Sequence, residues 1–504
     1  MTRTRRLARN VAWNITGQVV PLIAALVAIP LFIRGLGAER FGILTLVWAA
    51  IGYFGLFDFG IGRALTHAVA SRLGSGETDD LGRMTWTAVA LMFACGVAGG
   101  VLVAIATPPL IGHWLNVPPP LQSEGRTAFY LTALALPFSM VIIGFRGVLE
   151  AYQDFGLTTL LRVPVGVLMY LAPLAALPFS HSVVPVVAVL LALRVIACAL
   201  HVGVCVWRYE HLRGDCAIRL PLVLPLVRYG GWMTVSNVVS PIMVNMDRFV
   251  IGALLPMTAV AYYVTPYELV SKLTLIPVAV LGVIFPALAE AFTGSRDQVA
   301  TLVNHSVRLL LTLIFPATLV FVLFANDGLR LWIGPTFAAH GTAVMQWLAV
   351  GVLINCVAGQ VGYTALQGIG RPDLTARVHL VELPLYLAAT WWLVHEVGLV
   401  GVAIAWTLRA TADAVAMFAL AARTMPELCV IARSTFWWLC AATLALGGAA
   451  ALPNSTVRLI AAVVGLVGSL SLIWLAILRA EERSRIKDWA GIRFFRRAAA
   501  AGRE

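Results

Sequence analysis

The sequence predicts an all-α polytopic membrane protein with about fourteen transmembrane helices. Of its 504 residues, 60% are hydrophobic and only 12% are charged, and the mean hydropathy is +0.89. A soluble chain of this length needs far more charge to cover its surface. Apolar runs of about 20 residues recur from end to end, and each is long enough to cross a hydrocarbon layer of roughly 30 Å.

The apolar runs define fourteen predicted spans. The first follows the arginine-rich start "MTRTRRLAR", and we interpret it as a retained helix because it lacks a small-residue cleavage site. The eighth is long, and prolines at 266, 277 and 286 are expected to bend it. The spans are 10–33, 39–64, 84–110, 127–151, 156–178, 183–207, 228–252, 257–291, 302–325, 339–366, 374–396, 399–422, 433–452 and 456–478.

Arginine placement orients the predicted spans. With the N-terminus inside, the inward segments hold most of the arginines, including Arg72, Arg83 and Arg213, and the tail "RAEERSRIKDWAGIRFFRRAAAAGRE" adds more. The outward segments "PFSHSVVP" and "HEVG" hold none. Because basic residues stay on the cytoplasmic side, both termini are expected on the cytoplasmic side of the membrane. The basic, aromatic tail is expected to bind anionic lipid headgroups.

Composition also argues against several other kinds of site. The net charge of +12 comes almost entirely from arginine, and it does not call for nucleic acid in a chain this apolar. The seven cysteines lie in or beside apolar runs and form no CxxC pair, so neither a disulfide framework nor a zinc site is predicted. We expect no metal and no cofactor. No predicted loop is large enough for a soluble catalytic domain.

Internal similarity predicts a duplicated architecture. "LALPFSMVIIGFRGVLEAYQDFG" (134–156) aligns with "LAVGVLINCVAGQVGYTALQGIG" (348–370), and "LALRVIA" (191–197) aligns with "WTLRATA" (406–412). An even-numbered repeat of six helices keeps its orientation, so two lobes facing a shared cavity are expected. The predicted divisions are 1–215 for the first lobe, 216–425 for the second, 426–480 for two additional helices and 481–504 for the basic tail.

The run "IPLFIRGLGAERFGILTLVWAAIGYFGLFDFGIGRAL" (29–65) resembles the signature of bacterial polysaccharide flippases. Segment 246–290 and "LQGIGRP" (366–372) are similar to further parts of that family. These proteins belong to the MOP superfamily, with the MATE exporters and the lipid II flippases. The resemblance implies a MATE-like fold of helices 1–12 that moves an undecaprenyl-diphosphate-linked oligosaccharide to the outer leaflet by alternating access. It also implies a lipid-linked oligosaccharide as partner, with the polysaccharide polymerase and chain-length machinery as candidates.

Charged residues within the spans are candidates for binding the anionic head of such a substrate, because an ionisable group in hydrocarbon must be paired or face water. Arg194 lies about 16 Å into helix 6 and has no acid one turn away. An unpaired guanidinium at this depth is suited to bidentate hydrogen bonding with phosphate. Arg409 lies at the equivalent depth in helix 12, and Asp413 one turn later is expected to neutralise it. Lys272, Arg63 and Arg146 complete the predicted substrate-binding set.

The acidic residues of the spans are candidates for ion coupling or for structural ion pairs. Glu268 precedes Lys272 by four residues, and Glu150 follows Arg146 by four, so either pair can be a simple salt bridge. Glu382 lies deep in helix 11 with His379 close by, which permits a proton relay. Asp413 joins this set, and each of these residues has both a functional and a structural interpretation.

The stretch "YFGLFDFGIGRAL" ends helix 2 on the cytoplasmic side, where a lipid-linked substrate would enter. Asp58 and Arg63 either line this entrance or anchor the helix at headgroup level. Gly60 and Gly62 allow another helix to approach, and they form no dinucleotide site because no βαβ unit surrounds them.

Prolines in the first helix of each predicted lobe are hinge candidates. These are Pro21 and Pro30 in helix 1 and Pro241 in helix 7. Proline removes a backbone hydrogen bond and kinks a helix, although it is common in membrane helices generally.

Two other functions remain open from the sequence. A MATE-type drug or cation antiporter shares the fold, but such exporters commonly use a carboxylate in helix 1, and this helix has neither Asp nor Glu. A multispanning glycosyltransferase or ligase is the enzyme alternative, and it is expected to carry acidic residues in an early outward loop or one large outward loop. Here the first outward loop offers only Glu39. The sequence therefore favours a transporter without catalytic residues.

The arginine pattern makes a testable prediction about topology. Single cysteines placed near 78, 214 and 490 should react only with reagents that reach the cytoplasm, and those near 118 and 335 only with reagents outside the cell. Labelling of intact cells against broken cells measures this. Finding both 214 and 490 outside would reverse the orientation.

Overall fold

The fold is known from a computed structural model, which describes residues 3–58, 60–75, 80–214, 219, 245–294, 296–368 and 371–472; within these ranges, side chains are left out at 3–19 and at scattered helical positions. The chain divides into two compact units, Met1–Thr265 and Pro266–Glu504. The predicted lobe boundary after residue 215 and the other predicted divisions stay predictions. Across the described ranges, helices and turns make up the structure and no strand is present.

The first unit contains α1 to α8 and most of α9. Short 3₁₀ segments follow α2 (Tyr53–Asp58), α6 (Ala172–Ala176) and α7 (Glu210–Leu212), and a π-helical turn, Leu110–Trp114, ends α4. The helices are α1 (Arg3–Leu36), α2 (Ala38–Gly52), α3 (Ile61–Ser75), α4 (Leu81–Pro109), α5 (Pro119–Ala151), α6 (Phe155–Leu171), α7 (Val183–Arg208), the described part of α8 (245–254) and α9 (Met257–Val270).

The second unit begins within α9 and continues through a 3₁₀ turn, Ser271–Thr274. A second π-helical turn, Asn355–Gly359, separates α13 from α14. The helices are α10 (Leu275–Gly294), α11 (Arg296–Leu323), α12 (Ala325–Trp332), α13 (Pro335–Ile354), α14 (Gln360–Gly368), α15 (Pro372–Val397), α16 (Leu399–Thr424), α17 (Leu428–Ala450) and α18 (Ser455–Leu472).

Ten helical stretches within the described residues are long and apolar enough to cross a membrane. They coincide with predicted spans 3 to 6, 8 to 10 and 12 to 14. Span 1 lies within α1, and span 11 corresponds to α15, which has spanning length but carries Arg377 and Glu382. Most of span 7, with Pro241, lies outside the described residues, as does the basic tail. The chain is an all-α, multi-span membrane protein.

The second predicted span was wrong as one continuous helix over 39–64. The helix ends at Gly52, a 3₁₀ segment runs to Asp58, and a new helix begins at Ile61. Gly60 has a φ of 71°, a left-handed conformation that favours glycine, so it breaks the helix rather than serving a helix contact. Gly62 does allow a close contact, since a Cβ there would lie 3.0 Å from Ile143 of α5.

Helix α5 forms the centre of the first unit, where it packs against α4, α7 and α3. Glycines on α4 let the two backbones approach closely. A Cβ added at Gly96 would lie 2.6 Å from the Cα of Pro137, and one at Gly100 would lie 2.7 Å from the carbonyl oxygen of Ala133. Four-residue spacing on both helices makes this a small-residue contact of the kind that drives helix association in membranes.

Polar contacts at one end of the same unit tie α2, α5 and α7 together. Glu124 accepts hydrogen bonds from Arg40 Nε at 3.0 Å, from the Ser182 hydroxyl at 3.0 Å and from the Val183 amide at 3.2 Å. The Ser182 hydroxyl in turn accepts from the amide of Val184 and caps α7. The start of α7, and so the position of Arg194 along it, is fixed by this network.

Helix α16 holds the second unit together through contacts with α13, α14, α15 and α17. Glycines again bring backbones close: a Cβ at Gly351 would meet the Trp406 ring at 2.7 Å, and one at Gly362 would meet Met417 at 2.8 Å. Only Gly398, with a φ of 68°, separates α15 from α16, so these two helices form a tight hairpin. Side chains of α15 and α16 therefore face each other along their length.

The α4–α5 contact predicts the effect of one substitution. Gly100→Leu should destabilise the fold by about 1–3 kcal/mol or more, because the neighbouring atom is backbone and cannot move aside. The same substitution at Gly203 of α7, where a Cβ would meet nothing within 4 Å, is the matched control and should cost little. Thermal unfolding of both purified variants in one detergent measures this, and equal melting temperatures would contradict the packing argument.

Candidate functional site

The largest concentration of buried charge in the described part of the second unit lies between α15 and α16. His379, Glu382 and Tyr386 recur every three or four residues on α15, and Arg409 and Asp413 are one turn apart on α16. This spacing places each set on one face of its helix. The tight hairpin at Gly398 brings those faces together, and we refer to His379, Glu382, Arg409 and Asp413 as the α15–α16 cluster.

Two interhelical contacts between ionisable side chains organise the cluster. Arg409 Nη1 lies 3.6 Å from Glu382 Oε1, and the two side chains are only 10% and 8% exposed. His379 Nε2 lies 3.5 Å from Asp413 Oδ1. The expectation that Asp413 neutralises Arg409 along one helix was wrong, because the acid paired with Arg409 comes from α15. Sequence spacing identified both acids but could not show which of them a facing helix presents.

Aromatic rings surround the charged end of Arg409. The guanidinium carbon lies 5.4 Å from the ring centre of Trp406 and 5.6 Å from that of Tyr386. Both distances are in the range of a favourable cation–π contact. The ring of Tyr363 on α14 stacks on His379, with centres 6.5 Å apart. These rings limit the directions in which the side chains of Arg409 and His379 can move.

The π-helical turn Asn355–Gly359 lies against the cluster. A Cβ at Gly359 would come within 3.2 Å of both Asp413 Oδ2 and Asn355 Nδ2. Glycine at 359 therefore lets the backbone of this turn reach the carboxylate. π-Helical turns inside long helices frequently mark functional sites.

Arg194 occupies a different environment in the first unit. Its Nη2 donates to the Met169 sulfur of α6 at 3.3 Å, and its Nε has no hydrogen-bond partner among the described residues. A thioether is a weak acceptor, so the guanidinium keeps most of its donor capacity. The side chain is partly buried in a helix that spans the membrane.

The remaining predicted residues make other contacts. Lys272 Nζ, in the 3₁₀ turn after α9, lies 2.9 Å from Glu268 Oε2 of α9, and Arg146 Nε lies 3.5 Å from Glu150 Oε1 on α5. Both pairs therefore make i,i+4 contacts, and their functional roles stay predictions. Asp58 is buried and accepts the backbone amide of Gly62 at 2.8 Å, so it caps α3, whereas Arg63 is exposed.

The hinge candidates of α1 are helical positions in the structure. Pro21 and Pro30 lie inside the continuous helix Arg3–Leu36. A Cβ at Gly166 of α6 would lie 3.0 Å from Pro21 Cγ, so α6 packs on the proline ring. Pro30 is buried. Their role as hinges stays a prediction.

Sequence reasoning missed a further buried pair in the first unit. Asp247 and Arg248 are 1% and 6% exposed, and the Tyr263 hydroxyl donates to Asp247 Oδ2 at 2.6 Å. The signal was present, since an adjacent acid and base interrupt an apolar run in "VNMDRFVIG". Trp406, the aromatic partner of Arg409, was also overlooked.

The motif "LQGIGRP" ends in an exposed surface pair outside the spans. Arg371 donates to both carboxylate oxygens of Asp373, at 2.9 and 3.1 Å. These hydrogen bonds, with the positive charge of Arg371, hold the pKa of Asp373 below its usual value. A two-pronged contact of this kind fixes the start of α15.

Solved structures with this fold include transporters and a flippase. An inward-facing MATE family multidrug resistance transporter of the MOP superfamily is 15% identical, with a TM-score of 0.70, over 82% of this chain and 98% of the other. A lipid II flippase in an inward closed conformation is 12% identical, with a TM-score of 0.67, over 93% of this chain and 100% of the other. The MATE-like fold implied by the sequence resemblance is confirmed.

Sequence relatives lead in the same direction. A Shigella flexneri protein named "Putative O-antigen transporter" is 28% identical over 413 residues, which cover 81% of this chain and 96% of the relative. A Haloferax volcanii protein named "Probable low-salt glycan biosynthesis flippase Agl15" is 25% identical over 184 residues, covering 36% of this chain and 39% of the relative.

A family model described as polysaccharide biosynthesis protein matches residues 7–292, more than half of the chain. The match covers α1 to α9 and most of α10. It includes the signature stretch 29–65 from which the sequence resemblance was first drawn. The chain therefore belongs to the polysaccharide biosynthesis protein family.

Proposed function

We propose that this protein is a flippase that carries an undecaprenyl-diphosphate-linked oligosaccharide from the inner to the outer leaflet of a bacterial cytoplasmic membrane. The observation that carries the proposal is the similarity to the Shigella flexneri protein along 96% of that relative's length. The family match supports a role in polysaccharide biosynthesis. We expect no catalytic step, and alternating access is the transport mechanism we propose.

The chemistry of the buried side chains is compatible with such a substrate. A sugar diphosphate is anionic and hydrated, so hydrocarbon excludes it unless cationic and polar groups replace its water. Among the described residues, Arg194 has a sulfur as its one hydrogen-bond acceptor and an unsatisfied Nε, so it has donors available for phosphate oxygens. We propose it as the main contact to the diphosphate in the first unit.

The other predicted residues have different proposed roles, which depend on their ion pairing and exposure. Lys272 is paired with Glu268 but both side chains are about one-third exposed or less, so a phosphate can compete for the ammonium group. Arg63 and Arg146 are exposed or half-exposed near the predicted cytoplasmic entrance and are proposed to attract the anionic head. Arg409 is paired with Glu382, so we propose that it contacts substrate only after that carboxylate is neutralised.

A genetic experiment tests the substrate class. Deleting the gene in its native host should deplete a surface polysaccharide and leave lipid-linked repeat units in the inner leaflet. Lipid extraction and sugar analysis measure both effects, in a strain from which overlapping flippases have been removed. Normal polysaccharide together with new sensitivity to cationic drugs would instead support a MATE-type exporter.

A substitution series tests the role of Arg194. Arg194→Lys should lose much of the transport activity because it removes the planar two-pronged fork, and Arg194→Ala should lose nearly all of it. The alanine variant should weaken binding of an isoprenoid diphosphate about tenfold or more, since each charge-assisted hydrogen bond contributes roughly 1.5–3 kcal/mol.

The control for this series is Arg162→Ala. Arg162 lies on the neighbouring helix α6, and its side chain is exposed. Complementation, binding to purified protein and the amount inserted in the membrane are measured for each variant. Wild-type binding by Arg194→Ala would reject the contact, whatever the transport activity of the variant.

A further inference from the structure

The α15–α16 cluster carries an unbalanced charge. Arg409 contributes one positive charge and the two carboxylates contribute two negative charges, so the cluster has a net charge of −1 when His379 is neutral. The carboxylates of Glu382 and Asp413 are each 8% exposed. A net charge buried in a membrane protein is costly. One further positive charge would make the cluster neutral.

No other described group supplies that charge. The charged groups acting on Glu382 are Arg409, Asp413 and His379. Of the helices packed on the cluster, α14 contributes Tyr363 and the π-helical turn contributes Asn355, both uncharged. On α17, which packs against α16, Arg433 is exposed. Within the part of the chain that the structure describes, a bound cationic species is therefore what would balance the cluster.

Carboxylate oxygens of the cluster also lack hydrogen-bond donors among the described residues. Glu382 Oε1, Glu382 Oε2 and Asp413 Oδ1 are buried and have no hydrogen-bond partner among the described residues. Neither the Arg409–Glu382 contact at 3.6 Å nor the His379–Asp413 contact at 3.5 Å forms a hydrogen bond. An ionised carboxylate only accepts, whereas a protonated carboxyl group or imidazolium also donates. One proton would convert an unsatisfied acceptor into a donor at this place.

We infer that His379, Glu382, Arg409 and Asp413 form a binding site for one proton, shared by the two carboxylates and the imidazole. The proton comes from water on one side of the membrane and returns to water on release, and the cluster changes from −1 to neutral. With the proton bound, Glu382 no longer holds Arg409 by charge. The binding itself is independent of the proposed function; only its use in driving lipid-linked oligosaccharide transport rests on that function.

A proton fits this place better than a metal ion. One ligand atom from each of His379, Glu382 and Asp413 lies within 4.8 Å of the others, a spacing that a cation could use. However, the guanidinium of Arg409 already lies 3.6 Å from Glu382, so a metal ion there would face a fixed positive charge. Histidine beside carboxylates is instead the usual arrangement for exchanging a proton near neutral pH.

Backbone segments that contact the cluster lie where binding of the proton would change the local charge. The π-helical turn Asn355–Gly359 approaches Asp413 through Gly359. Thr407, which follows Trp406 and lies two residues before Arg409 on α16, donates to the carbonyl oxygen of Trp347 on α13 at 2.8 Å. A change of charge on Asp413 or Glu382 therefore acts directly where α16 contacts the irregular part of α13–α14.

The test counts protons on the purified full-length protein in lipid nanodiscs, without substrate. The sample is shifted between mildly acidic and mildly alkaline pH in weak buffer, and an indicator dye reports proton release. Infrared difference spectra report loss of a protonated carboxyl group. Wild type should release one proton more than Glu382→Gln, because that variant leaves Arg409 and Asp413 balanced.

The same charge count predicts the opposite effect on proton binding when Arg409 is replaced instead of Glu382. Arg409→Gln should bind at least as many protons as wild type, and it should hold them to higher pH. The double variant Glu382→Gln/Arg409→Gln should regain the proton lost in Glu382→Gln, since Asp413 is again unbalanced. If Arg409→Gln alone does not fold, proton release by the double variant still tests the inference. A purely structural salt bridge would not produce this restoration.

Asp327→Asn is the matched control, since Asp327 also pairs with an arginine of the second unit, Arg458, at 3.3 Å, but is half-exposed. It should release the same number of protons as wild type in this pH range. Wild-type proton release by Glu382→Gln would overturn the inference. Release of the proton on adding sodium chloride, with choline chloride as comparison, would also overturn it in favour of a metal-ion site. A protein that binds the proton but fails to restore polysaccharide export would reject the proposed function and leave this site standing.

Discussion

A charged side chain inside a hydrocarbon layer must find an opposite charge or water, and the second unit is organised around that constraint. Arg409 on α16 pairs with Glu382 on α15, and the one-residue link at Gly398 makes the two helices a hairpin. Glycines at 351, 359 and 362 then let α13, the π-helical turn and α14 approach α16. Moving α15 away from α16 would leave Arg409 and Glu382 without their partners.

The two predicted repeats have diverged at this pair. The repeat offset of 214 to 215 places Arg194 opposite Arg409, but it places Val167 or Leu168 opposite Glu382 and Cys198 opposite Asp413. In the structure, Arg194 accordingly contacts Met169 on the facing helix rather than an acid. One unit thus keeps a guanidinium with spare hydrogen-bond donors, while the other holds its guanidinium beside two carboxylates. This difference is consistent with different functional roles for the two units.

Hydropathy and arginine content were sufficient to predict the fold class, because a long apolar run has few alternatives to a membrane helix. The break in the second span was missed because Gly60 acts through a positive φ, which hydropathy does not register. All four members of the α15–α16 cluster were identified from the sequence, Arg409 and Glu382 by their depth in apolar runs and Asp413 and His379 by their spacing from those two. Their pairing was not, since it depends on which faces two helices present to each other, and no single-helix spacing contains that information.

The π-helical turn at Asn355–Gly359 has a consequence for how this sequence can vary. A π-helical turn holds about one residue more than an α-helical turn within nearly the same rotation, so the extra residue does not change the rotational phase between α13 and α14. Deleting a single residue there would restore a regular α-helix and leave Gly362 facing Met417. Deleting one residue elsewhere in α13 or α14 would instead rotate one part of the helix against the other by about 100°. A one-codon deletion within this turn therefore preserves the packing of α14 on α16, whereas one beside it does not.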